Sequence, residues 1–312
     1  MGHSVYTLAV RITGRWLRWL VRRRPGNLLL HSKRTPVMPH HHHPTAGSVG
    51  LPPARHFADL MPITNGQRAL TLALPFGCAA GYFGFAALGW WVPAVLMLMA
   101  LSFLTYGSTS HDLVHANLGL RKPVNDFFLS VIELLALRSG HAYRLAHLHH
   151  HARYPAPDDI EGAAAGMSLL GALREGLTYN LKLYFWALRQ ERGDKRWVRL
   201  EGLACVLVMG TAVGLALAGY PMLLIYAGLM TLGSWVLPLV TSYLPHRPRE
   251  QNVLLQTRLF RGRVASFIAA EHLYHLEHHL YPAIPHHHWP ELAKRLDPYF
   301  AQQGVEPTKL GF

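Results

Sequence analysis

Three clusters of histidine, each at helical spacing, are the residues of this chain that could do chemistry. The first pairs His111 with His115, and the other two have the pattern H-x-x-H-H. On a helix these positions share one face, so each cluster is predicted to point its imidazoles at one spot. Neutral imidazole binds iron, zinc, copper or nickel, so eight such nitrogens predict a site for about two metal ions. The second and third clusters consist of His147, His150, His151, His275, His278 and His279.

Further histidines differ in how well they fit such a site. His246 is predicted to be a ninth ligand, which gives two ions four or five nitrogens each and leaves a position between them for oxygen or water. His272 lies three residues before His275 on the same helical face, so it is either an extra ligand or a residue that supports the ligands. His149 falls on the wrong face to bind metal, and His286 to His288 are expected to be solvated in a loop.

Acidic residues near the clusters are candidates to orient the ligands. A ligating histidine usually donates its second N–H to a carboxylate or a carbonyl oxygen. Simple charge balance beside basic clusters is the alternative explanation for the same acids. The candidates are Asp112, Asp158, Asp159, Glu271 and Glu277.

Two long blocks without Lys, Arg, Asp or Glu, at 69–110 and 202–246, must position these residues. A membrane-spanning helix needs about 20 residues, so each block predicts a hairpin of two spans. Glycine and proline near the middle of each block mark the turns, where Trp and Tyr suit the membrane interface. The predicted spans are 69–88, 92–110, 202–219 and 221–242.

Charge and composition agree with a membrane protein. Only 15% of the residues are charged, against about 25% in soluble chains. A net charge of +13 would suggest nucleic acid in a soluble domain, but every charge lies outside the two apolar blocks. We interpret the basic excess as a mark of the cytoplasmic side and as attraction to anionic lipid. The expectation is a multi-pass protein of a bacterial inner membrane, with both termini cytoplasmic and no nucleic-acid partner.

The remaining segments complete the predicted architecture. Residues 1–60 are interpreted as a basic, largely disordered segment, and 61–312 as the membrane domain. Residues 127–137 are apolar but too short to span, which predicts an interfacial or re-entrant segment. Residues 166–190 predict an amphipathic helix that lies on the bilayer or is buried in the cap. The predicted fold is all-α: four spans in two hairpins, with a cytoplasmic helical cap that holds the metal site.

The histidine clusters resemble the histidine boxes of the membrane fatty acid desaturase family, which includes carotenoid ketolases and hydroxylases. The most specific likeness is the third cluster with its trailing prolines, from Tyr274 to Pro285, and the order and spacing agree from about residue 69 to 300. This resemblance implies a di-iron centre. Its implied ligands are His111, His115, His147, His150, His151, His246, His275, His278 and His279.

The chain departs from the family pattern at two places. Ser242 stands where family members often carry Asn, and Glu271, His272 and Leu273 stand where Asn often precedes the third box. Either difference alters how water or oxygen sits near the metals. The H-D-x-x-H form of the first box, with Asp112, occurs in carotenoid-modifying members and in some bacterial acyl desaturases. The L-E-H-H-L-Y-P tail favours acyl desaturases.

The resemblance implies O2-dependent oxidation of unactivated C–H bonds in a lipid. The leading interpretation is desaturation of the acyl chain of a fatty acid or lipid. A carotenoid ketolase or hydroxylase, or a lipid hydroxylase, would use the same ligands. The sequence contains neither a heme-binding His-Pro-Gly-Gly segment nor a cysteine set for an iron–sulfur cluster. A separate electron donor of the ferredoxin or cytochrome type is therefore implied.

Two other classes of protein fit the sequence less well. A metal transporter places its ligands near the bilayer midplane on broken helices. The apolar blocks hold no His, Asp or Glu before His246 except the box at His111. A membrane zinc hydrolase would carry H-E-x-x-H, with Glu as general base. This chain has Asp112 at that place and more histidines than one zinc needs, so a hydrolase is a remote alternative.

Overall fold

Helices make up almost all of the regular structure in the part of the chain that is described. The computed structural model describes residues 50–191, 193–248, 250–262, 264 and 272–310. Four of its helical stretches are long and apolar enough to cross a membrane by length and composition. This confirms the predicted all-α membrane fold. The four stretches are Asn65–Ala87, Trp91–Val114, Lys195–Leu217 and Met222–Tyr243.

The first hairpin leads directly into the first histidine cluster. It consists of α1 (Asn65–Ala87) and α2 (Trp91–Phe103). A π-helical turn (Leu104–Ser108) joins α2 to the short helix α3 (Thr109–Val114), which carries His111. Single π-helical turns within helices are frequent at functional sites.

Four helices form a cap between the two hairpins. The predicted interfacial segment 127–137 lies largely in α4, which buries Leu129 and Ile132 completely and leaves Phe127 exposed. Most of the segment is therefore a helix that packs in the cap and keeps one apolar side chain exposed. The cap helices are α4 (Lys122–Leu135), α5 (Gly140–Arg153), α6 (Leu169–Gly176) and α7 (Tyr179–Arg189).

The segment 166–190 contains two short helices, α6 and α7, and not the single helix that its composition predicts. Both helices turn large apolar side chains outward. A row of this kind suits the membrane interface better than burial in the cap, so it favours the bilayer-surface alternative. The exposed side chains are Leu169, Leu170, Leu177, Leu181 and Phe185.

The second hairpin consists of α8 (Lys195–Leu217) and α9 (Met222–Ser234). A second π-helical turn, Leu239–Tyr243, follows and leads to His246. Each hairpin thus ends in a π-helical turn shortly before a predicted ligand.

A buried carboxylate, Glu201, ties α8 to the cap. It accepts hydrogen bonds from the hydroxyl of Ser139 at 2.6 Å and from Nδ1 of His141 at 2.7 Å. The hydroxyl of Ser130 and the backbone N–H of His141 also donate to it. The ring of His141 in turn stacks on Trp197, with centroids 5.0 Å apart. One side chain therefore satisfies polar groups from α4 and α5 within an apolar bundle.

We expect Glu201→Leu to lower the free energy of unfolding by about 3 kcal/mol. The leucine fills a similar volume but leaves the buried imidazole and two hydroxyls without their acceptor. Thermal unfolding of the detergent-solubilised protein measures the loss. Leu200→Ala on the exposed face of α8 is the control, and an equal effect of both changes would contradict the role of the Glu201 network.

The C-terminal part carries the third histidine cluster against a core that also contains Phe57 and Leu60. Trp289, Leu292, Leu296 and Phe300 of its last helix pack beneath Leu276 and are almost completely buried. The elements are α10 (Val253–Gln256), β1 (Phe260–Arg261), α11 (His275–Leu280), α12 (Trp289–Gln302) and β2 (Thr308–Lys309), with β1 and β2 parallel.

Candidate metal centre

The nine histidines predicted as ligands converge in two groups. Within each group, one nitrogen of every histidine lies within 4.8 Å of those of the others. The groups are neighbours, since the rings of His151 and His279 have centroids 4.5 Å apart. The first group consists of His111, His115, His147, His151 and His278, and the second consists of His150, His246, His275 and His279.

The structure divides each H-x-x-H-H cluster between the two groups. His147 and His151 belong to the first group, whereas His150 belongs to the second. Likewise His275 and His279 enter the second group and His278 the first. The expectation that each cluster serves one spot is therefore wrong for the second and third clusters, whereas both histidines of the first cluster, His111 and His115, enter the first group. Positions i and i+4 lie about 40° apart around a helix, and i+3 lies about 60° to the other side, so the helix presents two directions.

The Nε2 atoms of the first group face one another at short distances. His278 is the central member, with its Nε2 3.0 Å from that of His111 and 2.7 Å from that of His151. The Nε2 atoms of His147 and His151 are 3.1 Å apart. Trp289 covers the group, with its ring centroid 5.3 Å from that of His111 and 5.2 Å from that of His278. The arrangement is compact and shielded from water on this side.

Three imidazoles have an oxygen acceptor at Nδ1, the ring nitrogen that faces away from the group. Nδ1 of His147 lies 2.9 Å from Glu161, and Nδ1 of His150 lies 2.7 Å from Asp159. Nδ1 of His246 lies 3.1 Å from the backbone carbonyl of Ser242. Because these oxygens accept, each Nδ1 carries a proton, and Nε2 of each ring faces its group.

The close approach of its Nε2 atoms makes the second group suited to bind a metal cation. The Nε2 atoms of His150 and His246 are 3.1 Å apart, and that of His246 is 3.3 Å from those of His275 and His279. Burial lowers the pKa of His246, His275 and His279 well below its usual range, so these rings are neutral. Because its Nδ1 proton is donated to the carbonyl of Ser242, His246 offers a single Nε2 lone pair and can accept a hydrogen bond from only one of its three neighbours.

A proton alone does not resolve these contacts. Burial by itself would lower the pKa of His150, but the Asp159 carboxylate outweighs it and raises that pKa. A proton on His150 would satisfy its contact with His246 and would leave the contacts of His246 with His275 and His279 unsatisfied. A metal ion would satisfy them all, and an all-imidazole donor set suits iron, zinc or copper.

Three of the predicted carboxylates have other partners. Asp158 is exposed and pairs with Arg153 at 3.0 Å, next to the non-ligating His149. Glu277 forms an ion pair with Arg261 at 2.7 Å. Asp159 lies beside the predicted ligand His150, as expected for a supporting carboxylate. Glu271 lies outside the described residues.

The third of these carboxylates, Asp112, shows that the prediction for the histidine run His286 to His288 is wrong. Its carboxylate accepts from the backbone N–H of His286 at 3.2 Å and pairs with Nδ1 of the same residue at 2.6 Å. His287 contacts the hydroxyl of Thr71 at 2.7 Å, and Nδ1 of His288 donates to a backbone carbonyl. This run is therefore not a solvated loop. It attaches the C-terminal part to the first hairpin, because buried polar groups find partners there.

Sequence reasoning missed Glu161, and it placed His272 only approximately. Glu161 lies two residues after Asp159, so the D-x-E spacing behind the second cluster was an available signal. His272 lies beside His275, with ring centroids 4.9 Å apart, but belongs to neither group. Its two ring nitrogens are buried and have no hydrogen-bond partner among the described residues.

Comparison with known proteins agrees with this geometry. Residues 88–310, which hold all nine histidines, match the family described as Fatty acid desaturase. The chain belongs to the fatty acid desaturase family. A search of curated proteins finds no match. Membership in the desaturase family makes the protein a membrane oxidoreductase of the desaturase and hydroxylase type, with lipid as its class of substrate. The family is generally iron-dependent, and the two histidine groups are the residues suited to hold the iron.

Proposed function

We propose that this protein is a membrane-bound di-iron enzyme that uses O2 to desaturate the acyl chain of a fatty acid or lipid. The observation that carries the proposal is the pair of adjacent histidine groups, with five and four members. Two iron ions bound there would supply the O2 chemistry that removes hydrogen from an unactivated chain. All nine histidines would be ligands.

The protein's own residues hold and orient this site. Glu161 and Asp159 keep Nδ1 of His147 and His150 protonated, so that Nε2 stays available to metal. Trp289 and the buried side of α11 exclude water from the first group. Exclusion of water and fixed donors are what a protein contributes to such chemistry.

A carotenoid ketolase or hydroxylase, or a lipid hydroxylase, is the second candidate, because the same ligands serve each reaction. The zinc hydrolase is disfavoured by the second group, since one zinc needs at most four ligands. We therefore propose two iron ions per chain, and metal analysis of the purified protein should find about two irons and little zinc.

Heterologous expression with lipid and pigment profiling by mass spectrometry tests the reaction. A new lipid lighter by two hydrogen atoms supports desaturation. A lipid heavier by one oxygen atom indicates hydroxylation, and a modified carotenoid indicates the ketolase or hydroxylase activity. A His278→Ala variant expressed in parallel controls for reactions of the host.

We also propose that the metal side of the protein is cytoplasmic and receives electrons from a separate ferredoxin or cytochrome-type carrier. An even number of spans would leave both ends of the membrane region on one side, and the second and fourth spans lead there to His111 and His246. Positive charge outside the spans supports the cytoplasmic assignment in a bacterial inner membrane.

Turnover driven by an acidic ferredoxin is expected to fall several-fold as salt rises from low to physiological concentration. The net charge of +13 attracts such a carrier, and ions screen that attraction. The measurement is the rate of product formation at a series of salt concentrations. A small uncharged reductant is the control, and an equal salt effect with both donors would contradict charge-steered docking.

A further inference from the structure

His272 is an imidazole beside the metal centre that neither histidine group uses. The residue is half-buried, but both of its ring nitrogens are buried and have no hydrogen-bond partner among the described residues. No other histidine in the described part of the chain has both ring nitrogens in this condition. A buried N–H without an acceptor is unfavourable, so these atoms point to a ligand that is not part of the protein.

His272 lies next to members of both groups. Its ring centroid is 4.9 Å from that of His275, which belongs to the second group. Burial lowers the pKa of His272 to about 4, and the next cause of that shift is His147, which belongs to the first group. The ring is therefore neutral and carries one N–H and one lone pair. It can donate one hydrogen bond to a small ligand at the metal centre.

A glycine at the end of the second span makes room for this ring. Gly107 lies in the π-helical turn Leu104–Ser108, four residues before His111. A Cβ atom at Gly107 would lie 3.3 Å from Cβ and 3.6 Å from Nδ1 of His272. The side chain of His272 therefore packs directly against the backbone of the turn. This contact fixes the imidazole where the second span meets the histidine groups.

The geometry does not make His272 a tenth metal ligand. Its nitrogens belong to neither of the two sets of ligand atoms that lie within 4.8 Å of one another. The second group, which contains His275, has four members against five in the first. A metal ion with fewer protein ligands keeps a position for an exogenous ligand. His272 therefore lies beside the group that has more room for such a ligand.

We propose that the N–H of His272 donates a hydrogen bond to O2 at the open position of the metal centre beside His275. This inference rests on the proposed function, which supplies both the O2 and the iron. A fixed N–H beside that position favours a ligand that carries negative charge, because hydrogen bonds to charged acceptors are the stronger ones. His272 thus raises the affinity of the centre for its small ligand without binding the metal.

Azide titration of the iron-loaded, oxidised protein tests this role without turnover. Azide is a small anion that takes an open position on iron, and its absorption band measures the binding. His272→Leu removes the N–H and keeps a similar volume, so azide affinity should fall about tenfold while the iron content stays unchanged. His272→Asn retains an N–H donor and should recover most of the affinity. His149→Leu is the matched control, because His149 enters neither group.

The kinetics of an active preparation provide a second measurement. His272→Leu should raise KM for O2 several-fold, because the lost hydrogen bond concerns O2. KM for the lipid should stay unchanged in the same variant. A rise of both KM values by the same factor would indicate a general disturbance of the site and would contradict the specific role.

The outcomes separate this role from the proposed reaction. Unchanged azide affinity in His272→Leu would overturn the role of His272, and so would equal losses in His272→Leu and His272→Asn. Loss of iron in His272→Leu would make the residue a ligand and would overturn its role as a donor. If azide binding changes as expected in a protein that oxidises no lipid, the proposed reaction is wrong and the donor role of His272 stands. Absence of iron from the unchanged protein would overturn both.

Discussion

The His278→Ala variant is expected to lose the metal of the first histidine group and with it all measurable lipid oxidation. The Nε2 atom of His278 lies within 3.0 Å of those of two other members, His111 and His151. Without His278 the first group lacks its central nitrogen ligand. The oxidation should stop because it would need the metal that this group holds. Elemental analysis should show a decrease from about two ions per chain to about one or fewer. Insertion into the membrane should survive, because the apolar spans determine it.

His149→Ala is the matched control for this change. His149 belongs to the second cluster, but it contacts a backbone carbonyl in the loop and enters neither group. We expect its iron content and activity to match those of the unchanged protein. Normal iron content in His278→Ala would remove His278 from the site. Iron loss in His149→Ala would show that the helix α5, and not the ligand, is sensitive to substitution.

Amide substitutions of the two supporting carboxylates are expected to weaken the two metals separately. Asp159 supports the second group through His150, and Glu161 supports the first through His147. In Asp159→Asn or Glu161→Gln the amide N–H₂ can face Nδ1 of the histidine in place of the accepting oxygen. The histidine proton then moves to Nε2, which is the nitrogen that the metal needs. Loss of such a partner weakens metal binding by about 10- to 100-fold. Competition with a chelator of known affinity measures each change.

Asp158→Asn, one residue earlier, is the control for these variants. Its carboxylate is exposed and pairs with Arg153, so metal affinity should not change. Metal-specific spectroscopy should then distinguish the group affected by Asp159→Asn from that affected by Glu161→Gln. The same loss in all three variants would mean that the loop acts as a whole, and would contradict the separate roles.

The membrane part of the fold was predictable because absence of charge is a direct signal of a span. All four spans were located, but two begin earlier than their uncharged blocks. Thr64 caps α1 with a reciprocal pair of hydrogen bonds to Gln67, and Asp194 caps α8 by accepting from Arg196. The first turns of both helices contain charged and polar residues, so the helices begin before the uncharged blocks do.

The candidate site was predictable in its residues and not in its division. Helical periodicity identifies which histidines share a face of a helix. Whether the side chains at i+3 and i+4 enter the same group or different groups depends on how the helices pack, which periodicity does not give. Supporting groups were harder to assign, because tertiary contact selects them. Asp158 and Asp159 are neighbours in sequence, yet only Asp159 contacts a predicted ligand, and Asp112 instead binds His286 across the chain.

The way the histidines divide between the groups would let bound metal connect parts of the fold that are distant in sequence. The first group takes His111 from the first hairpin, and the second takes His246 from the second hairpin. Both groups share the helices α5 and α11. Each bound ion would therefore cross-link a different hairpin to the same two helices. Removal of the metal should then loosen both hairpins, and limited proteolysis should cleave the metal-free protein faster than the metal-loaded protein.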